Sequence, residues 1–186
     1  MARVQVIDPR TATGPAKELL DAVQAQLGVT PNFIRVLANS PKALEGFLGL
    51  YGAQGGFSLD KATQERIALA VAESNGCQYC VSAHIAIGRG AGLSNEEMAL
   101  NRHGRSAADA KVAGAVSLAR ALNDNLGEIT SAEVDAARAA GLSDGEIVEV
   151  IAVVALNVFT NLLGKATRVE IDFPKVELMG SLKAAA

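Results

Sequence analysis

No stretch of this chain alternates apolar and polar residues over a useful length, and that constrains its fold more than any other feature. A half-buried strand needs a period of two; here apolar residues recur at helical spacing between punctuating residues. Gly14-Pro15 opens a segment carrying Leu19, Leu20, Val23 and Leu27, and Gly28 closes it. Thr30-Pro31 precedes a short segment with Phe33, Ile34 and Leu37. Ser40-Pro41 supplies an N-cap and a first-turn proline to a helix with Leu44, Phe47, Leu48 and Tyr51, ended by Gly55-Gly56. Ser58 and Asp60 introduce the next, with Ile67, Ala70, Val71 and Ser74 on one face, and another runs from about Cys77 to Arg89. Ser94-Asn95-Glu96-Glu97 matches a capping box, and residues 106–124 form a further helix. Thr130-Ser131-Ala132-Glu133 and Ser143-Asp144-Gly145-Glu146 cap two more, the last ending near Gly164. The expectation is an all-α fold in a single domain over 1–186. An extended arm at 1–13 presents Val4, Val6 and Ile7 to another surface, and residues 177–186 form a frayed tail.

The chain has 186 residues, 49% hydrophobic and only 4% aromatic, which predicts closely packed helices around Ala, Leu, Val and Ile. A net charge of −3 without any Lys/Arg cluster argues against nucleic-acid binding. The N-terminus has no apolar signal region. The run Ile147 to Leu163 is interrupted by Glu149, Asn157, Thr160 and Asn161, which makes it too polar and too short for a membrane span. Burial between subunits explains its apolar character better. A soluble, cytoplasmic protein is expected. Ala91-Gly92-Leu93-Ser94 recurs as Ala140-Gly141-Leu142-Ser143. Two explanations stand: a duplicated helical hairpin whose second copy lacks cysteines, or a glycine C-cap and serine N-cap used twice.

The chemistry concentrates between Glu65 and His84, in ERIALAVAESNGCQYCVSAH. This stretch holds both cysteines, Cys77 and Cys80, and one of the two histidines. On a helix the steps Cys77 to Cys80 and Cys80 to His84 put all three on one face. In a reducing compartment a C-x-x-C pair is more often catalytic or metal-binding than a structural staple. Asn75-Gly76 signals a break, so Cys77 lies near a helix N-terminus, where free N–H groups favour a thiolate. His84, one turn beyond Cys80, can take a proton from that thiol. Two cysteines at this spacing can also close a disulfide once one becomes a sulfenic acid. A carboxylate beside the imidazole would fix its tautomer. Glu73 reaches only if the helix runs straight through Asn75-Gly76, and Glu65 only if the chain bends.

Plainer readings stand beside these. The cysteines could be small core residues. A zinc site would need two further ligands from His84 and Glu73 or His103, and no second C-x-x-C or H-x3-H is present. No metal or cofactor is expected. His103 reads as a solvent-facing cap, Glu73 as a surface or interface carboxylate, and Tyr79 as packing beside the thiols. Asn157 and Asn161 are expected to cross-link helices or subunits before they contact substrate.

The pattern E-x11-C-x2-C-x3-H, here Glu65, Cys77, Cys80 and His84, resembles the alkylhydroperoxidase AhpD core of the carboxymuconolactone decarboxylase-like superfamily. GCQYCVSAH followed by AGLSNEE, and the run IVEVIAVVALNVFTNLLGKATRVEIDFPKV, resemble its peroxidase-related branch, over about residues 30–176. The resemblance implies an all-helical fold, homotrimers or homohexamers, and reduction of organic hydroperoxides through a cysteine disulfide. By position it makes Cys80 the peroxidatic cysteine, Cys77 the resolving one, and His84 with Glu65 the proton relay. The helix-end argument alone favours Cys77 as the attacking thiolate; the nearby base favours Cys80. Where AhpD carries a second histidine between the cysteines, this chain has Tyr79, a hydrogen-bond donor and a poor base near neutrality. The decarboxylases of the superfamily lack the cysteine pair. The expected activity is therefore hydroperoxide reduction, with a protein or small dithiol as reductant. A general disulfide reductase and a redox-sensing thiol switch are the alternatives.

Overall fold

The computed structural model describes residues 2–180, which form nine α-helices, with no strand among the described residues. They are α1 (Gly14–Leu27), α2 (Asn32–Leu37), α3 (Pro41–Ala53), α4 (Lys61–Ser74), α5 (Gln78–Gly90), α6 (Asn95–Arg102), α7 (Ala110–Asp124), α8 (Ser131–Ala139) and α9 (Asp144–Thr167). A 3₁₀ turn, Gln54–Gly56, follows α3. The caps are those the polar residues announce. Ser40, Asp60 and Ser94 each accept the N–H three residues on, and at Thr130 and Ser143 the capping boxes close in both directions. α7 begins at Ala110, later than expected. Residues 106 and 107 are held outside the helix because the Ser106 hydroxyl and the Ala107 N–H donate to Glu97, and Asp109 caps instead.

α4 is the central helix. It packs against α5, α6, α7 and α9, and so buries every residue from Thr63 to Leu69 save Arg66, and on through Ala72. Alanines at 68, 70 and 72 let the neighbouring helices approach closely. On one side Ile67 and Val71 meet Ala115, Leu118, Val150 and Val153; on the other Leu69 and Ala72 meet Cys77, Cys80, Val81 and Met98. Each fully buried leucine or isoleucine here contributes about 1.5–3 kcal/mol of transfer free energy. A third cluster joins α1, α2 and α3 through Leu20, Ile34, Leu44 and Phe47 to Leu156 of α9.

α9 spans 24 residues and is, by length and composition alone, long and apolar enough to cross a membrane. That corrects the expectation of too short a run. Yet Val150, Val153, Leu156 and Asn161 are buried within this chain. Its outer face leaves Val148, Ile151, Phe159 and Leu162 between 40% and 64% exposed.

The N-terminal arm lies on this chain itself. The Arg3 N–H donates to Thr167 O at 2.6 Å, Arg35 Nε to Ile7 O at 2.8 Å, and Asn39 Nδ2 to Gln5 O at 2.7 Å. The expected frayed tail is in part docked: the Met179 N–H donates to Glu73 at 2.7 Å and Arg102 to Glu177 O at 2.6 Å. Its last residues, 181–186, lie outside the described residues. In the two Ala-Gly-Leu-Ser joints the glycine has φ +86° or +103°. The leucine N–H closes back on Gly88 or Ala137, and its side chain is buried. The flanking helices differ in length, 13 and 8 residues against 9 and 24, so what recurs is the joint.

Candidate functional site

The chain turns sharply at Asn75-Gly76. α4 ends at Ser74, Gly76 takes φ +63°, and α5 starts at Gln78. Cys77 therefore occupies the N-cap position, where its sulfur accepts the Cys80 N–H at 3.4 Å. Serine, threonine or aspartate usually does this; here a sulfur does. Cys77 and Cys80 are joined as a disulfide, with Cα atoms 5.3 Å apart. α9 passes directly behind the pair because residue 164 is glycine: a β-carbon there would lie 3.3 Å from Cys77 Sγ.

The bend that ends α4 folds α5 back along it and brings His84 to Glu65. His84 Nδ1 and Glu65 Oε2 are 2.7 Å apart, while Lys61 Nζ lies 2.7 Å from the other oxygen, Oε1. Glu65 is almost wholly buried, with its side chain 3% exposed. Burial alone would raise its carboxyl pKa. The charge and hydrogen bond of His84, and then those of Lys61, outweigh burial and hold it below the usual carboxylate value. An ionised carboxylate only accepts, so Nδ1 carries the hydrogen, and in the neutral ring Nε2 is the acceptor.

Glu73 plays no part in this. Its oxygens take Arg102 Nε and the Met179 N–H, both at 2.7 Å, at the far end of α4. Tyr79 is buried, packed edge-on against Phe33 and Phe173. Its hydroxyl donates to Asp172 at 2.8 Å and accepts the Phe33 N–H at 3.3 Å. Burial first, and then the Asp172 carboxylate, push the phenol well above its ordinary pKa, so it is a fixed donor and not a base. His103 is exposed and C-caps α6.

A mostly apolar cavity of ≈ 120 Å³ adjoins the pair, walled by Phe33, Phe47, Tyr51, Leu156 and Phe173. Cys80, His84, Glu65 and Lys61 line it; Cys77 does not. Several lining residues lay outside the expected set, Lys61 and Gln54 among them. Lys61 could have been found from its i,i+4 spacing to Glu65. Gln54 carries no sequence signal. Asn157, expected mainly as a cross-link, instead donates to Val153 O of its own helix at 2.8 Å and lines the cavity. Asn161 does join two helices, accepting from Asn75 at 2.9 Å.

Residues 41–124 match the carboxymuconolactone decarboxylase family. No curated protein matches the chain. Among solved structures, the alkylhydroperoxidase AhpD core of Ralstonia eutropha JMP134, an uncharacterized peroxidase-related protein, is 21% identical with a TM-score of 0.82, over 92% of each chain. An uncharacterized peroxidase-related protein from Silicibacter sp. TM1040 is 23% identical with a TM-score of 0.77, over 91% of this chain and 94% of that one. The debrominase Bmp8, as a cysteine-to-alanine variant in complex with 2,3,4-tribromopyrrole, is 17% identical with a TM-score of 0.76 over 100% of both chains. At such identities these likenesses establish the fold.

Proposed function

We propose that this chain, a member of the AhpD-like carboxymuconolactone decarboxylase superfamily, is a thiol-dependent reductase of organic hydroperoxides. The observation that carries this reading is the convergence of Cys80, His84 and Glu65 on the wall of one apolar cavity, with Cys77 bonded behind Cys80. His84, held by Glu65, takes the proton of the Cys80 thiol. The thiolate attacks the terminal oxygen of the hydroperoxide, so that an S–O bond forms and the O–O bond breaks. The departing alkoxide takes the proton from His84 and leaves as the alcohol. Cys77 then attacks the sulfenic sulfur; a disulfide forms, and the hydroxide leaves with the Cys77 proton as water. An external dithiol reduces the disulfide and restores both thiols. Cys80 lines the cavity and Cys77 does not, which suits Cys77 to the resolving part.

Stopped-flow consumption of a hydroperoxide in the presence of excess dithiol tests this. Repeated turnover is expected, abolished in Cys80→Ser, while Cys77→Ser forms a sulfenic acid that dimedone traps. A single stoichiometric oxidation would identify a thiol switch, and reduction of disulfides without peroxide turnover a disulfide reductase. Bromide release from a bromopyrrole in place of peroxide turnover would move the assignment toward the debrominase neighbour.

The same reading includes a homo-oligomer, trimer or hexamer. The exposed stripe Val148, Ile151, Phe159 and Leu162 on α9 supports it, since an apolar helix face of this length is a natural interface between copies. A monomer in sedimentation at micromolar concentration would remove that part alone.

A further inference from the structure

The site cavity is small. At ≈ 120 Å³ it falls below the roughly 300–1,000 Å³ of ordinary ligand pockets. A second and larger cavity, of ≈ 390 Å³, adjoins it, and Leu48, Tyr51, Gln54, Lys61 and Gln64 line both. These shared residues are where the two cavities meet.

The partition carries one unsatisfied polar group. Gln54 is 6% exposed, and its Nε2 is buried with no hydrogen-bond partner among the described residues. The neighbouring amide of Gln64 differs: its Nε2 is satisfied twice, by Gln54 O at 3.0 Å and Leu59 O at 2.7 Å. Buried donors are rarely left unpaired, so one that stays unpaired in the cavity wall is available to a ligand acceptor. The surrounding charges define which acceptor. Lys61 is already neutralised by Glu65 at 2.7 Å, and Asp60, which also lines the second cavity, adds negative charge. A further anion would meet the Glu65 and Asp60 carboxylates with Lys61 already paired, whereas a neutral oxygen meets the unpaired Gln54 N–H.

We propose that Gln54 is a specificity-determining residue whose side-chain N–H binds a neutral acceptor oxygen, of carbonyl or ester type, in the organic part of the substrate. This rests on the hydroperoxide-reductase reading and names its substrate class: hydroperoxides that carry a carbonyl or ester oxygen away from the O–O bond, in preference to purely hydrocarbon ones.

Two measurements test it. In the first, kcat/KM is compared for a hydrocarbon hydroperoxide and its shape-matched ester analogue. The wild-type protein is expected to favour the ester about three- to tenfold, as one net hydrogen bond implies, and Gln54→Met to bring the ratio near one. In the second, calorimetric titration compares an unreactive ester with its hydrocarbon counterpart, neither containing an O–O bond, and the same preference and its loss are expected. Equal ratios in wild type and variant, or no wild-type preference in binding, overturn the proposal. Should Gln54→Met not fold, Gln54→Leu and the wild-type binding preference decide it. If binding shows the preference while neither hydroperoxide is consumed, the reductase reading fails and the assignment of Gln54 stands.

Discussion

Glu65 and Glu73 stand two turns apart on α4, each with a cation 2.7 Å away and each largely buried, yet they do different work. Glu65 adds an imidazole to its cation and lines the cavity; Glu73 adds a main-chain N–H from residue 179 and binds the end of the described chain. The bend at Asn75-Gly76 makes the difference. Because α5 folds back, His84 returns to the level of Glu65, while Glu73, nearest the bend, is left facing α6 and the C-terminal segment. Nearness to the cysteines in sequence is thus a poor guide to nearness in chemistry.

The contrast can be broken most decisively at the proton relay. His84→Gln should lower kcat/KM for a hydroperoxide by roughly 10²–10⁴-fold, the usual range for a lost general base, and Glu65→Gln by about 10². An unchanged pH–rate profile in His84→Gln would take the imidazole out of the mechanism. Glu73→Gln should do the reverse. Turnover persists, and stability falls by about 1–3 kcal/mol as Arg102 and the Met179 N–H lose a charged acceptor. Denaturant melts and hydrogen exchange at residues 177–179 read this; loss of activity with an unaltered melt would merge the two roles.

Acid sharpens the comparison further. The folded-state pKa of Glu65 is depressed, so its ionised form stabilises the fold above the ordinary carboxylate value, and that contribution disappears as pH falls through the folded value. In that window the unfolded chain binds the extra proton, so the melting temperature should climb with pH. Glu65→Gln should flatten the slope, and a parallel curve would contradict the pairing. The smallest effect is expected at Lys61, whose side chain is 49% exposed. Lys61→Met should cost roughly 0.2–1 kcal/mol of stability, the range of solvent-exposed ion pairs. A loss of several kcal/mol would mean that Lys61, and not His84, holds the Glu65 carboxylate in place.

Much of this was legible in the residues themselves. Helix caps are local chemistry, and Ser40, Asp60, Thr130 and Ser143 marked their helices because the hydrogen bonds span only three residues. The cysteines, His84 and Glu65 were legible as a set. Which glutamate met the imidazole was not, because it depends on the direction α5 takes after Gly76. Long-range bonds hid the rest. The late start of α7 is imposed by Glu97, whose carboxyl is held at a pKa of about 2: burial opposes this, but hydrogen bonds from Ser106, Ala107, Asn101 and Arg66 prevail. The docking of residue 179 is imposed by Glu73 in the same way. Gln54 gave no signal because its significance is an unmade bond in a wall formed by several helices.

The carboxylate of Asp172 clamps two helix beginnings at once, taking the Asn32 N–H at 2.7 Å on one oxygen and the Tyr79 hydroxyl at 2.8 Å on the other. Its partners lie 140 and 93 residues away along the chain, so the clamp closes only when segments far apart in sequence have come together. The C-x-x-C turn is held by bonds local to residues 72–81, whereas the ring of Phe173 meets Tyr79 only through that long-range closure.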